Sequence, residues 1–449
     1  MMKSHSIYEF TPFRLDLREG RLLRAEKEIK LRPIVFKLLI VLVEHHGQVL
    51  DDDRLMELVW EEVVDDSTLA VSVGELRRKL GCEGLIERVA RRGYRFAAKV
   101  ALVDEALPDA GAPPPPEGAL PVSSRFYIAR QADDEFYRAI VRRDSIVLVK
   151  GARQVGKTSL LARGFQKARE SGAVVAFTDL QHLSKDAFVN AETLLKALGE
   201  RIAEQLQLRT RPHDMWSNQI TVSTNFERFL QREVLEKLSS PLVWGLDEVD
   251  KLFGCDYASD VFALFRSWHN LRALEPAGPW RRMTMLMAYA TEAHLFITDL
   301  NQSPFNVGTR LSLKDFTPDQ IADLNRRYDS PLKDESERNR FFDLLGGHPY
   351  LAHRGLYEMA QREIDLATFD ASADQEEGIF GDHLRRMLKS LQANPSLQDA
   401  VRCALEGKPQ LALADFYHLR SAGVLAGDSA QDARLRCRLY TRFLAKHLL

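Results

Sequence analysis

Apolar residues change their spacing twice along this chain. In "LRPIVFKLLIVLVEHHG" (31–47) they fall at 35, 38, 39, 42 and 43, with Pro33 near the start and Gly47 as a stop, which predicts a helix. "DDDRLMELVW" (51–60) predicts a second, short helix with acidic residues in its first turn, where they face the positive end of the helix dipole. "DDSTLAVSVGELRRKLG" (65–81) predicts a third, with Leu69, Val73, Leu76 and Leu80 on one face and Gly81 past its end. "IERVARRGYRFAA" (86–98) reads as two short strands around a turn at Gly93. After residue 125 short apolar runs alternate with helical patterns. "SIVLVK" (145–150), "AVVAFTDL" (173–180), "LVWGLDE" (242–248) and "MTMLMAYA" (283–290) predict strands, and 157–170, 191–206, 224–238 and 258–274 predict the helices between them. That alternation predicts a mostly parallel sheet with helices on both faces. From 316 the pattern is wholly helical, opening on the capping box of Thr317, Pro318 and Gln320. Residues 396–449 predict two short helices, a hairpin and a last helix.

Between the first two regions lies "VDEALPDAGAPPPPEGALPVSS" (103–124). Small residues and proline dominate it, so it buries too little apolar surface to fold, and the prolines at 113–116 favour a stiff polyproline II spacer. The expected organisation is therefore multidomain, α+β then α/β. An N-terminal unit spans 1–100, a spacer 101–124, a parallel-sheet core 125–315, a helical lid 316–395 and a terminal unit 396–449.

Composition changes this picture little: 45% hydrophobic and 28% charged residues are ordinary for domains with their own cores. A net charge of −2 excludes a polycation, so any nucleic-acid site must come from local segregation of charge. Such segregation exists: 51–66 holds eight acids and one Arg, whereas 71–99 holds eight Lys/Arg and three Glu. Cys82, Cys255, Cys403 and Cys437 lie far apart without a CxxC or Cys/His cluster, which fits small buried hydrophobes in a reduced, cytoplasmic protein. "MMKSHSIYEFTPF" shows no apolar signal segment, and runs such as "LLIVLV" (38–43) are too short to span a bilayer, so no membrane is expected.

The sharpest chemistry lies in "VLVKGARQVGKTSL" (147–160). A strand, a Gly-rich turn and a helix follow in order, and Gly151 to Thr158 fit GxxxxGK[ST]. Gly151, Gln154 and Gly156 belong to the loop that closes round phosphate oxygens, and the amides at the helix start point at the anion. Lys157 is expected to bridge the β- and γ-phosphates, Thr158 to offer its hydroxyl to Mg²⁺, and Ser159 to lie on the α-phosphate side. "PLVWGLDEVD" (241–250) ends a second strand in Asp247 and Glu248, at the sheet edge where such folds present ligands. Asp247 is expected to hold the Mg²⁺ water shell and Glu248 to polarise the attacking water. The plain alternatives are a chance Gly-rich turn and a solvated acidic loop. The two motifs together favour a nucleoside triphosphate with Mg²⁺.

Taken together, "FYIARQADDEFYRAI", the P-loop, "LVWGLDEVDKLF", "MLMAYATE", "FNVGTRLSLKDFTPDQI" and "GGHPYLAHRGLYEMA" resemble the AAA-like branch of the STAND signal-transduction ATPases over roughly 125–445. The resemblance implies a nucleotide-flanking role for Arg130, a γ-phosphate sensor at Thr291 and a GxP lid motif at Gly347-His348-Pro349, with Pro349 near the adenine. It implies that the terminal unit is similar to the winged helix that closes such ATPases. Arg281 and Arg282 read as a solvated strand start, with arginine fingers toward a neighbouring subunit as the alternative.

"FRLDLREGRLL", the three predicted helices and "IERVARRGYRF" resemble the winged-helix effector domain of OmpR-type response regulators over residues 8–97. That resemblance implies a third helix in the major groove of double-stranded DNA and a hairpin wing against the minor groove. Arg77, Arg78, Lys79, Arg91 and Arg92 become candidate phosphate contacts, and Thr68, Val71 and Ser72 candidate base or phosphate contacts. Gly74 and Glu75 stand where many relatives place a polar or basic reader, and Ala90 replaces the usual wing residue, so the sequence recognised does not transfer. No phosphoacceptor receiver precedes this domain, so input is expected through the ATPase half, from a protein or small-ligand signal. The implied function is a transcriptional regulator in which a slow, switch-like ATPase controls homo-oligomerisation and DNA binding. Two alternatives are a stress or phage-defence sensor whose winged helix contacts protein, and an origin-recognition-like ATPase stimulated by DNA.

Overall fold

The computed structural model describes residues 7–10, 12–16, 21–24, 27–60, 66–81, 83–90, 92–98, 100–103, 118–290, 303–408 and 411–449. Two compact units divide the chain, Met1–Gly111 and Ala112–Leu449.

In the first unit, β1 (Ile7–Phe10), β2 (Phe13–Asp16), β3 (Arg21–Arg24) and β4 (Lys27–Ile29) form an antiparallel meander. Then come α1 (Pro33–Glu44), β5 (Val49–Leu50), α2 (Asp52–Val59), α3 (Asp66–Leu80), β6 (Ile86–Val89), β7 (Gly93–Phe96) and β8 (Ala101–Val103). Helix α1 starts with Pro at its first position, where a missing N–H costs nothing, and Asp51 caps α2 by accepting from the Arg54 amide at 2.7 Å. Leu69, Val73, Leu76 and Leu80 of α3 are all buried against Val35, Leu39 and Phe96. Strands β5, β7 and β6 make the wing sheet. Its hairpin requires Gly93: φ is +120°, and a Cβ there would lie 1.8 Å from the Leu50 carbonyl oxygen. One boundary needs correction. The expected spacer began at 101, yet Ala101–Val103 pair with β1 (Ile7 opposite Val103) and complete the first sheet. Backbone pairing supplies there what the composition does not. The four prolines lie outside the described residues.

The second unit runs α4 (Gln131–Arg142), β9 (Ile146–Lys150), α5 (Lys157–Glu170), β10 (Val174–Asp179), α6 (Ala191–Gln205), α7 (Pro212–Met215), α8 (Val222–Phe229), β11 (Leu242–Asp247), α9 (Ala258–Leu274), β12 (Met283–Tyr289) and β13 (Thr309–Ser312). The five strands are all parallel, in the order β10-β11-β12-β9-β13. Alternate residues of β9 face opposite layers. Ile146 and Leu148 pack with α6, α8 and α9, whereas Val147 and Val149 pack with α4 and α5. Burial on both sides explains why the strands read as unbroken apolar runs. Truncating Leu148 to Ala is expected to cost about 2–5 kcal/mol. The fifth strand, β13, escaped the pattern because Leu311 is its one apolar side chain.

Helices α10 (Pro318–Arg327), α11 (Glu335–Leu345), α12 (Pro349–Arg362), α13 (Leu366–Ala373), α14 (Gly381–Gln392), α15 (Pro395–Leu405) and α16 (Leu413–Ser421) follow, then β14 (Leu425–Ala426), β15 (Arg434–Leu435) and α17 (Arg438–Leu448). The expected division at 395/396 is not a division of the core. Phe341, Leu356, Leu384, Val401 and Phe443 belong to one apolar cluster running from the lid to the last helix. Among the described residues no helix is long and apolar enough to cross a membrane.

Candidate nucleotide-binding site and the exposed face of the third helix

Strand β9 delivers the P-loop between β12 and β13, while β10, next along this part of the chain, lies on the far side of the sheet. Connections therefore diverge at β9, and a crevice opens at the strand ends. Gly156 starts α5 with φ +94°, and Gln154 holds φ +61°, a left-handed conformation uncommon for a residue with a side chain. Lys157 is buried, and its ammonium donates to the carbonyls of Gly151 (3.1 Å) and Ala152 (3.2 Å). Burial lowers its pKa, and the carboxylates of Glu248, Asp250 and Asp247 oppose that shift.

The carboxylates stand at the end of β11. Thr158 donates its hydroxyl to Asp247 Oδ2 at 2.6 Å, and the Glu248 amide donates to Oδ1 at 2.9 Å. Asp247 is 2% exposed; burial raises its pKa, and those two hydrogen bonds hold it down. Burial likewise raises Glu248, which sits at φ +53° and lines the pocket. A hydroxyl touching a carboxylate is a hard-oxygen donor set that fits Mg²⁺, an ion usually held by one or two protein groups plus phosphates. No cluster of three His, Cys, Asp or Glu able to hold a metal by themselves occurs among the described residues.

Gly156, Lys157, Thr158 and Glu248 line one end of a cavity of about 280 Å³. Its other end is Tyr127, Ile128, Phe316, Pro349, Tyr350 and His353, a mostly apolar wall of the kind that receives a flat ring. Arg130 bridges the two ends: Nη1 donates to the Val155 carbonyl at 2.7 Å, the guanidinium carbon lies 5.7 Å from the Phe316 ring centre, and Nε is buried without a partner. Pro349 follows His348, which is buried with Nδ1 unpartnered and whose pKa lies well below normal because of burial and the charge of Arg436.

Gly118, Ala119 and Leu120 form a third wall. This short strap is fastened to the P-loop helix. The Leu120 amide donates to Ser159 Oγ at 2.9 Å, and Arg163 donates to the carbonyls of Leu120, Pro121 and Val122 at 3.3, 2.8 and 3.3 Å. Its guanidinium carbon lies 3.5 Å from the Tyr127 ring centre. Ser159 lines the cavity, and its hydroxyl oxygen also accepts from the strap.

In the first unit, α3 ends with Arg78 and Lys79 exposed, and Val71 is 62% exposed near its start. Arg92, at the wing turn, is exposed and Thr68 is half-buried. Two expected contacts point elsewhere. Ser72 is 4% exposed and donates to the Thr68 carbonyl at 2.9 Å, because its position falls on the core side of the helix. Arg77 donates to the Ile86 carbonyl through Nη2 at 2.7 Å and Nε at 3.1 Å, which ties the helix to the wing. Glu75 pairs with Arg32, so its charge is not left bare on this face. Arg91 and Thr291 lie outside the described residues. Arg281 and Arg282 close backbone carbonyls at the opposite end of the sheet: Arg281 donates to Pro276 (3.2 Å) and Arg282 to Leu235 (2.8 Å).

Residues 115–446 match the family described as AAA-like domain. The chain belongs to the AAA-like domain family. Residues 26–96 match a second family, described as transcriptional regulatory protein, C terminal, so an OmpR-type winged helix precedes the AAA-like unit. A WD-repeat protein of Synechocystis sp. is 26% identical over 247 residues, 53% of this chain and 20% of that protein. The transcriptional regulatory protein YvcP of Bacillus subtilis is 40% identical over 81 residues, 17% of this chain and 31% of that protein. The chain therefore spans a third or less of each of these relatives. The Walker-type ATPase PABY2304 of Pyrococcus abyssi superposes with a TM-score of 0.50 at 16% identity, covering 71% of this chain and 96% of that one, a likeness of fold.

Within the AAA-like unit the pattern of residues missed the strap, Tyr127, Phe316 and His353. The strap's composition is that of a spacer. The aromatic residues lie far apart in sequence and meet only when the lid folds over the P-loop. Phe316 precedes the Thr317 cap, and Tyr127 directly precedes the "IAR" that flags Arg130, so proximity to a motif was the one available signal.

Proposed function

We propose that this protein is a cytoplasmic, DNA-binding transcriptional regulator gated by nucleotide, a STAND-type switch with slow ATP hydrolysis. The observation that carries the reading is the strap. Residues that wall the nucleotide cavity are the same residues through which the chain leaves toward the winged helix. A ligand that fits the cavity only in one strap position shifts the equilibrium between positions by its differential affinity.

Lys157 and the α5 amides bind the phosphates of ATP or ADP, and Arg130, Pro349 and the aromatic wall enclose the base. Thr158 and Asp247 would hold Mg²⁺, which would supply charge neutralisation at the phosphates. Glu248, its pKa raised by burial, takes a proton from the attacking water more readily than an ordinary carboxylate does. On the DNA side, Arg78, Lys79 and Arg92 contact phosphates and Val71 faces the groove. Nucleotide-dependent homo-oligomerisation then multiplies weak half-site contacts through effective concentration. Affinity for genomic fragments, measured with ADP, a non-hydrolysable ATP analogue and no nucleotide, tests the reading. A clear difference between nucleotide states supports it. Equal affinities, or no DNA bound in any state, overturn it, and rapid turnover that rises with DNA points instead to a DNA-stimulated ATPase.

A further inference from the structure

His353 stands one helical turn after Pro349 on α12, so the two side chains share a face, and both line the base end of the cavity. It is 6% exposed and lines the cavity. Nδ1 lies 3.3 Å from the Tyr328 hydroxyl. Among the described residues that is the sole side-chain hydrogen bond of Tyr328, and Nε2 of His353 has none. The protons can be assigned from this. A buried phenol must place its O–H on an acceptor, and Nδ1 is the acceptor present. With Nδ1 accepting, a neutral imidazole carries its proton on Nε2. Burial with the charges of Arg130 and Arg327 pushes the His353 pKa down to about 3, so the ring is neutral at ordinary pH. Phe126 stacks on Tyr328 at 4.3 Å between ring centres and fixes the phenol that fixes the imidazole.

We propose that His353 is the base-reading residue of the nucleotide site: its Nε2–H donates to a ring nitrogen of a purine seated against Ile128, Phe316 and Pro349. A nearly buried N–H donor at an otherwise apolar wall selects a ligand that brings an acceptor. Purine rings offer N1, N3 and N7, whereas a ring lacking an acceptor there leaves the donor unpaired. The inference rests on the nucleotide site of the proposed function and adds the residue that reads the base.

The test is binding of ADP and its 1-deaza, 3-deaza and 7-deaza analogues, each of which replaces one ring nitrogen by C–H. On the wild-type chain one analogue is expected to bind roughly five- to a hundredfold more weakly than ADP, the range for leaving a buried donor unsatisfied. His353→Phe is expected to level ADP and that analogue. Tyr328→Phe, which frees the tautomer while leaving the imidazole in place, is expected to shrink the difference. Analogues all within twofold of ADP on wild type, or a preference that persists in His353→Phe, overturn the inference while leaving the nucleotide site standing. Failure of ADP itself to bind removes both.

Discussion

Arg163→Met tests whether the strap is held as a separable piece. The substitution keeps much of the side-chain length and removes every donor. Wild-type Arg163 is 8% exposed, and its guanidinium makes its shortest strap contact, 2.8 Å, to the Pro121 carbonyl. The two 3.3 Å contacts to Leu120 and Val122 are weaker by geometry. A lifted strap returns its carbonyls to water, so each bond counts at its net worth, about 1.5 kcal/mol for the short charged one and about 0.5 kcal/mol for each long one. The close approach of Arg163 to the Tyr127 ring adds about 1 kcal/mol. Together these give roughly 3.5 kcal/mol, or several hundredfold in the population with the strap lifted. Hydrogen exchange reads that population at the Leu120 amide, whose partner is Ser159 Oγ. Its protection is expected to fall by about that factor in Arg163→Met while amides of β9 and β11 keep theirs, and ADP is expected to dissociate faster. Unchanged protection at Leu120, or an equal loss throughout the sheet, refutes the reasoning.

Lys157→Ala is expected to weaken ADP binding roughly ten- to a hundredfold, the worth of a charged hydrogen bond to phosphate, and so to shrink the ADP-induced rise in Tm. Glu248→Gln is expected to retain ADP binding while single-turnover hydrolysis falls by about 10²–10⁴. His383, on helix α14 of the lid, is pushed down to about 4 mainly by burial. Its unfolded form therefore binds more protons than its folded form between about pH 6.5 and 4, and stability falls as pH drops through that window by up to about 1.4 kcal/mol per unit. Urea melts at pH 7 and pH 5 are expected to converge partly in His383→Phe, and the comparison with wild type removes the opposite pull of Asp247 and Glu248, whose pKa values are raised. Arg78→Ala is expected to weaken DNA binding similarly on all sequences and lower the salt slope by about one, whereas Arg77→Ala is expected first to lower the Tm of the winged helix.

The parts of this molecule legible in its sequence are those whose physics is local. Leu69, Val73, Leu76 and Leu80 reveal α3 because one helix face is enough to bury them. Gly156, Lys157 and Thr158 reveal the P-loop because strand, turn and helix are contiguous. Asp247 and Glu248 needed one further assumption, that β11 belongs to the same sheet. What stayed hidden depends on where a distant partner lands. Arg77 and Arg78 are equivalent as charges in "GELRRKLG", yet one helical step of about 100° sends the first to the Ile86 carbonyl and leaves the second exposed. The bond from the Leu120 amide to Ser159 stayed hidden because Leu120 lies in a segment whose composition says spacer.

The same contacts place the P-loop between the two ends of its own unit. On one side the strap hangs from Ser159 and Arg163. On the other, the Arg153 amide donates to the Ser421 carbonyl at 3.2 Å, and Arg436, buried beside Gly423, is salt-bridged to Asp315 just beyond β13. Packed interiors do not stretch continuously, so a shift of the loop is carried to whichever side yields. The C-terminal side is anchored in the large cluster that includes Leu384, Val401 and Phe443. Among the described residues the strap is hydrogen-bonded to the P-loop helix by one arginine and one serine. The proposed gating therefore puts the movable side at the strap, the side that leads along the chain to the winged helix.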